Sequence, residues 1–305
     1  MAEHPIGMNM EQNIAFLERV FWHMVGVVNL VHQQHRAESG KFTKWQEIGT
    51  AAACQFRDTK LLLTAKHVLD GAESADLAFL IRPTGRIEWA NETQRTRFER
   101  ISLEIDSIIR CDWEDLAAIV LSPSACESAN VRFCELPKKF GEPPPDGSVL
   151  VAGYPYNQSS IAEVIKQEGE IVHNLAAQSS AFWGEIITTD KPRSGFDVES
   201  HFLIRFNPNF EGERPHGYSG AGVWLPNQHV TNLSVWTPDP LLTGIETHYY
   251  EESRALRVVK SEAVRRFLEE QIDHFKGVDP KCGATAAKRR KNAAHGASRG
   301  SIYRQ

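Results

Sequence analysis

Residues His216–Trp224 read HGYSGAGVW. Ser219 sits among three glycines, Gly217, Gly220 and Gly222, with Tyr218 just before it. Glycine opens backbone conformations closed to other residues, so a serine in such company sits on a tight loop. A hydroxyl is a poor nucleophile until a base removes its proton. The meaning of this loop therefore depends on whether a histidine and a carboxylate elsewhere in the chain are placed to serve it.

Two stretches supply candidates. LLLTAKHVLDG (Leu61–Gly71) ends a leucine-rich run with His67, and CDWEDLAAIVL (Cys111–Leu121) opens an apolar run with Asp115. The chain order His, Asp, Ser is that of the chymotrypsin-like triad and differs from the orders in α/β-hydrolases and subtilisins. The esterase elbow also needs a glycine two residues after its serine and a strand-to-helix turn. Here Ala221 holds that position, and GVWL after it reads as strand. A purely structural account of the three residues is a turn serine, a buried histidine and a loop-capping aspartate.

The rest of the chain frames these stretches. Of 305 residues, 41% are apolar and 24% charged, with net charge −5, which suits a globular chain with no general bias toward nucleic acid or membrane. Five cysteines, at 54, 111, 126, 134 and 282, include no CxxC pair, so neither a zinc site nor a disulfide framework is expected. The N-terminus lacks a basic segment followed by an apolar run and cleavage site, and a cytoplasmic location is expected. The apolar run Val20–Val31 is too short to span a bilayer.

From Val25 onward, short runs rich in Val, Ile, Leu and aromatics alternate with Gly, Pro and polar clusters. GTAAACQF, DLAAIVL, GSVLVAGYP and HFLIRF are examples. No helical periodicity separates them, so the expected class is all-β, a sandwich or barrel. The expected organisation is an N-terminal helical extension over 1–24, a first β domain over 25–135, a linker over 136–148 and a second β domain over 149–258. A helix over 259–276 and a basic disordered tail over 277–305 follow. The linker carries LPKKFGEPPPDGS, which no central strand accommodates. The helix SEAVRRFLEEQIDHF starts with Ser261 as its expected N-cap and presents Val264, Phe267, Leu268, Ile272 and Phe275 on one face. The tail includes KRRK (Lys288–Lys291), enough for weak contact with nucleic acid or an acidic partner.

Three motifs together resemble the trypsin-like serine proteases. TAKHV is similar to their Thr-Ala-x-His element, EDLAAIVL to their Asp-Leu-Ala element, and GYSGAG to their Gly-x-Ser-Gly-Gly element with Ala221 replacing one glycine. VLVAGYP (Val149–Pro155) resembles the first strand of the second barrel in HtrA-type and glutamyl-endopeptidase-type members. The resemblance covers roughly residues 25–275. It implies two antiparallel six-stranded β-barrels with a C-terminal helix, and a His67–Asp115–Ser219 triad that cleaves peptide bonds through an acyl-enzyme. It further implies an oxyanion hole from the N–H groups of Gly217 and Ser219, and no metal or cofactor.

Departures from the family pattern carry information. Tyr218 stands where digestive-type members have an aspartate that pairs with a newly cut N-terminus, so activation by N-terminal cleavage is not expected. By the same resemblance Glu213 falls near the floor of the specificity pocket, beside Arg214, and a solvated loop charge explains it equally well. Thr247, His248 and Tyr249 fall on the strand that would hold extended substrate, with Tyr249 in place of a pocket-wall glycine. His173, His201, His216 and His229 show no metal-ligand spacing and are expected to be ordinary surface or core histidines. The expected partners are a protein or peptide substrate and a regulatory protein, since an unsecreted protease without a zymogen switch needs restraint. The alternative from another class is a catalytically silent module of this fold that grips extended peptides.

Overall fold

β-branched and leucine-rich runs become strands throughout the computed structural model. It describes residues 26–35, 43–71, 77–81, 99–102, 105–128, 131–143, 145, 147–156, 160–167, 170–176, 180–188, 194–206, 215–225 and 240–271. The expected N-terminal helix, Glu213, His229 and the basic tail lie outside the described residues.

The first half contains β1 (Gly26–His35), β2 (Thr43–Phe56), β3 (Thr59–Thr64), β4 (Leu77–Ile81), β5 (Glu99–Ser102), β6 (Ile105–Arg110), β7 (Ala117–Leu121), α1 (Pro123–Ser128) and β8 (Cys134–Leu136). The strands run in the order β5-β4-β1-β2-β3-β7-β6, with β8 added alongside β2. The resemblance implies a six-stranded barrel here; among the described residues this half is an eight-stranded sheet with no pair closing its ends. The length of β2 explains the extra strand. β1 covers it only as far as Ala53, opposite Gly26, and β8 pairs in parallel with the open edge from Cys54 to Phe56. An exposed edge of unpaired N–H and C=O groups is thereby capped. Cys54 and Cys134 are register partners in that pair.

The second half contains β9 (Ser148–Gly153), the separate hairpin β10 (Ser160–Gln167) and β11 (Glu170–Ala176), then β12 (Ser180–Ile187), β13 (His201–Arg205), β14 (Gly222–Leu225), β15 (Leu241–Tyr250) and β16 (Ala255–Lys260). Six of these form the expected closed barrel, β12-β13-β16-β15-β14-β9. The chain is thus mostly β and ends its described part in a helix, α2 (Ser261–Glu270). Among the described residues no helix is long and apolar enough to cross a membrane.

Each half has its own core. Val28, Leu30, Ala51, Ala53, Leu62 and Ile119 fill the first; Val151, Phe182, Ile204, Tyr218, Val223 and Val258 fill the second. Alternate residues of each strand point the same way, so a run such as β7, buried at every position, is covered on both faces. Ser261 departs from its expected role as N-cap. It is the first helical residue, and its hydroxyl donates to Gly141 O at 2.8 Å, tying α2 to the connection between the halves. Val264, Phe267 and Leu268 of the expected stripe are buried, while Ile272 and Phe275 lie outside the described residues.

One residue of β2 stitches the two halves together. Thr50 donates its N–H to Ser219 O at 2.9 Å and its hydroxyl to Gly217 O at 2.6 Å. The same hydroxyl accepts the Tyr154 N–H at 3.0 Å, and the Thr50 carbonyl accepts the Thr64 hydroxyl at 2.8 Å. Thr50 is wholly buried, so any group it leaves unpaired pays a full desolvation cost. Thr50→Val keeps the shape but orphans Gly217 O and Tyr154 N–H. A loss of about 2–6 kcal/mol in urea-unfolding free energy is expected, at about 1–3 kcal/mol for each of the two orphaned groups. An unchanged unfolding midpoint would show that these bonds do not hold the halves.

Candidate active site

His67 follows β3 on a single 3₁₀ turn, Lys66–Leu69. Leu61 to Leu63 before it and Val68 and Leu69 after it are buried, which leaves the imidazole facing outward with its side chain 45% exposed. Asp115 lies on the turn that leads into β7. Cys111 N–H closes that turn on Leu116 O at 2.9 Å, and Lys66 Nζ donates to Cys111 O at 2.8 Å.

The two residues meet at two points. Asp115 Oδ1 accepts the His67 N–H at 3.0 Å, and Oδ2 lies 2.8 Å from Nδ1. An ionised carboxylate only accepts, so Nδ1 carries the proton and Nε2 keeps its lone pair. The Asp115 hydrogen bond raises the His67 pKa above 6.5, with burial opposing and the charges of Asp115 and Asp70 adding to the rise. Burial alone would raise Asp115, yet its bonds to His67 and the nearby Arg257 guanidinium hold it below the ordinary aspartate value. Arg257 of β16 places Nη2 3.6 Å from Asp115 Oδ2, and donates to Thr247 Oγ1 at 3.1 Å and Gly195 O at 2.6 Å.

Ser219 sits on the loop Pro215–Ala221, whose backbone is pinned at most of its residues. Tyr218 N–H donates to Pro215 O, Gly220 N–H to Glu246 O, and Ala221 N–H to Tyr218 O. The carbonyls of His216, Gly217 and Ser219 accept from Tyr156, Thr50 and Thr50 respectively. Among the described residues the N–H groups of Gly217 and Ser219 donate to nothing. Gly217 has φ 101° and Gly220 φ 88°, and a Cβ at either would strike backbone, Tyr154 O or Thr50 O. These two glycines are therefore required by both conformation and space.

The loop lies against the His67 turn. A point beside Gly49 is within 3 Å of both Ser219 O and the Val68 side chain. Ser219 is half-buried, and among the described residues its hydroxyl makes no hydrogen bond, nor does His67 Nε2. Tyr218 is fully buried, edge-on to Phe182 and Phe206 at ring-centroid distances of 5.3 and 6.1 Å.

The expected substrate strand, β15, is broken in register between Glu246 and His248, which leaves Thr247 on a bulge. Thr247 is buried with its hydroxyl taken by Arg257. His248 is exposed and lines an open cleft of about 850 Å³ beside the imidazole, with Lys66, Trp113, Phe196 and Arg257. Tyr249 packs edge-on to Phe206 at 5.7 Å, at the end of the barrel core.

Four charged or titratable residues at this site were given no role by the sequence reading: Glu114, His201, Arg257 and Glu246. Only Glu114 left a signal, as the acid preceding Asp115. His201, expected to be an ordinary histidine, is buried with Nε2 2.9 Å from Glu114 Oε2.

Glu246 is the most costly of the four. It is opposite Val258 of the barrel core, and its Oε2 is buried without a hydrogen-bond partner. Burial pushes its pKa up to about 8, against the pull of His67 and Arg257. Between the ordinary 4.5 and about 8 the unfolded chain releases this proton while the folded chain keeps it. Folding stability therefore falls as pH rises through that window, by at most about 1.4 kcal/mol per unit. Glu246→Gln removes the fall. The variant is expected to gain stability over the parent in urea unfolding, more at pH 8 than at pH 5, and an equal pH dependence in both proteins would contradict a buried neutral acid.

No family model and no curated protein sequence matches the chain. Solved structures do. A scabies mite inactivated protease paralogue aligns at 14% identity over 81% of this chain and 94% of its own, with TM-score 0.46. The HtrA-type protease AlgW aligns at 14% identity with TM-score 0.46, over 85% of this chain and 66% of its own length. The Vibrio cholerae VesB protease aligns at 12% identity with TM-score 0.48, over 84% of this chain and 65% of its own. This chain thus spans just under two thirds of the length of the last two structures.

Proposed function

We propose that the protein is a serine endopeptidase that acts through Ser219, His67 and Asp115. The observation that carries the reading is the loop around Ser219. Most of its carbonyls and the N–H groups of Tyr218, Gly220 and Ala221 are bonded, while the N–H groups of Gly217 and Ser219, beside the hydroxyl, donate to nothing among the described residues. Unpaired donors beside a nucleophile suit the oxygen of a tetrahedral intermediate, and one such donor contributes about 3–4 kcal/mol to the transition state.

In this mechanism Ser219 Oγ attacks a peptide carbonyl as His67 Nε2 takes its proton. The C–N bond then breaks, the same proton passes to the leaving amine, and the acyl group stays on Ser219. Water, deprotonated by His67, attacks the acyl carbon and releases the acid, returning the proton to Ser219. Asp115 holds the imidazole in the tautomer that leaves Nε2 free and stabilises its charged form. The aromatic burial of Tyr218 supports a protein that needs no N-terminal cut. We propose a cytoplasmic setting, a peptide or protein substrate and restraint by a protein partner.

A second reading is a silent module of the same fold that binds extended peptide. It is favoured by the missing hydrogen bond between Ser219 and His67, and by Tyr249 packed on Phe206 at the barrel end.

A fluorophosphonate probe separates the two. The enzyme reading expects labelling of Ser219 in the full-length protein and a fall of about 10²–10⁴-fold in labelling rate for His67→Ala. It also expects the rate to climb with pH through a midpoint above 6.5, because the raised pKa keeps the base protonated below it. A folded protein that takes no label supports the binder.

A further inference from the structure

Asp115 is held by more than His67 and Arg257. Its own N–H donates to Glu114 Oε1 at 2.9 Å, while Glu114 Oε2 lies 2.9 Å from His201 Nε2. Glu114 belongs to the turn before β7 in the first sheet, and His201 is the first residue of β13 in the closed barrel. The contact therefore crosses from one half to the other. It is well shielded, with the His201 and Glu114 side chains 4% and 10% exposed.

The chemistry of the contact is set by the turn that leads into β13. Asp197 donates its N–H to His201 Nδ1 at 2.9 Å and accepts the His201 N–H on its carbonyl at 2.7 Å. A backbone N–H aimed at Nδ1 requires a lone pair there, so the ring proton sits on Nε2, which lies 2.9 Å from Glu114 Oε2 as a close polar contact off the line of a hydrogen bond. The Phe196 ring lies 5.8 Å from the imidazole and closes its side. Burial alone would raise Glu114, but His201 and the Asp115 N–H bring it below the ordinary glutamate value, so it is an ionised acceptor. Consecutive ionised carboxylates repel each other, and here each has its own imidazole: Asp115 has His67, and Glu114 has His201.

Ser219 is carried by the barrel half, His67 and Asp115 by the sheet half. The approach of Nε2 to the serine hydroxyl thus depends on how firmly the Asp115 turn is tied to the barrel. We propose that Glu114 and His201 form a positioning pair that ties Asp115, and through it His67, to the barrel bearing Ser219. The consequence for Ser219 rests on the endopeptidase reading; the tie to His67 does not.

Three variants of the full-length protein test the pair. Glu114→Gln keeps an oxygen for the Asp115 N–H but turns an amide N–H toward the His201 N–H, donor against donor. His201→Phe keeps an aromatic ring and removes the donor. His201→Gln keeps a donor toward Glu114 and serves as the conservative rescue. Two readouts apply: the rate of fluorophosphonate labelling at Ser219, and the titration midpoint of His67 followed by imidazole nitrogen NMR. Glu114→Gln and His201→Phe are expected to label up to about 10²-fold more slowly, the cost of a misplacement near 1 Å. Both should bring the His67 midpoint down toward 6.5, and His201→Gln should restore most of both. An unchanged rate and midpoint in folded His201→Phe, or equal losses in His201→Phe and His201→Gln, would overturn the proposal. If His201→Phe does not fold, Glu114→Gln decides on the same readouts. If the parent takes no label, the endopeptidase reading fails, and the His67 midpoint alone still judges the pair.

Discussion

The arrangement depends on Thr50, a buried threonine whose three polar groups are all engaged, the N–H and hydroxyl across the line between the halves. Its N–H and hydroxyl grip two carbonyls of the Ser219 loop, and its carbonyl is held by Thr64 of the neighbouring strand. A loop rich in glycine would otherwise sample many conformations, because glycine loses the most freedom on ordering. Thr50 removes that freedom at Gly217 and Ser219, while Glu246 does the same at Gly220 and Ala221 through its own backbone. The serine is thus fixed from two sides by strands of two different sheets.

Charge is concentrated where the halves meet. Glu114, Asp115 and Glu246 lie close to His67, His201 and Arg257, with Glu246 and His201 buried and His67 open to the cleft. Each is answered differently. Asp115 and Glu114 stay ionised because hydrogen bonds and nearby cations outweigh burial. Glu246 has too few partners and keeps its proton. Such a set is costly to bury and is the kind of local conflict that clusters at functional sites.

Much of this was legible in the chain. Strand runs separated by Gly and Pro, with no helical period between them, announced an all-β protein, and the second barrel has the six strands anticipated. His67, Asp115 and Ser219 could be picked out as candidates because they stand at the end of one apolar run, at the head of another and in a glycine-rich loop, in a chain order that resembles a known triad. The sheet topology of the first half was not legible, since β8 pairs with an edge of β2 left open only by where β1 ends. Ser261 looked like a helix cap because serine commonly is one, but its hydroxyl found the Gly141 carbonyl instead.

Local pattern determined the strands, the glycine loop and the candidate residues, because these follow from side-chain period, backbone freedom and residue chemistry along a short stretch. Tertiary structure alone decided the partners. Arg257 reaches Asp115 from 142 residues away, His201 reaches Glu114, and Glu246 comes to rest behind the serine loop. Hydrogen bonds and electrostatic shifts depend on distance and burial in space, and neither is written in the order of residues along the chain.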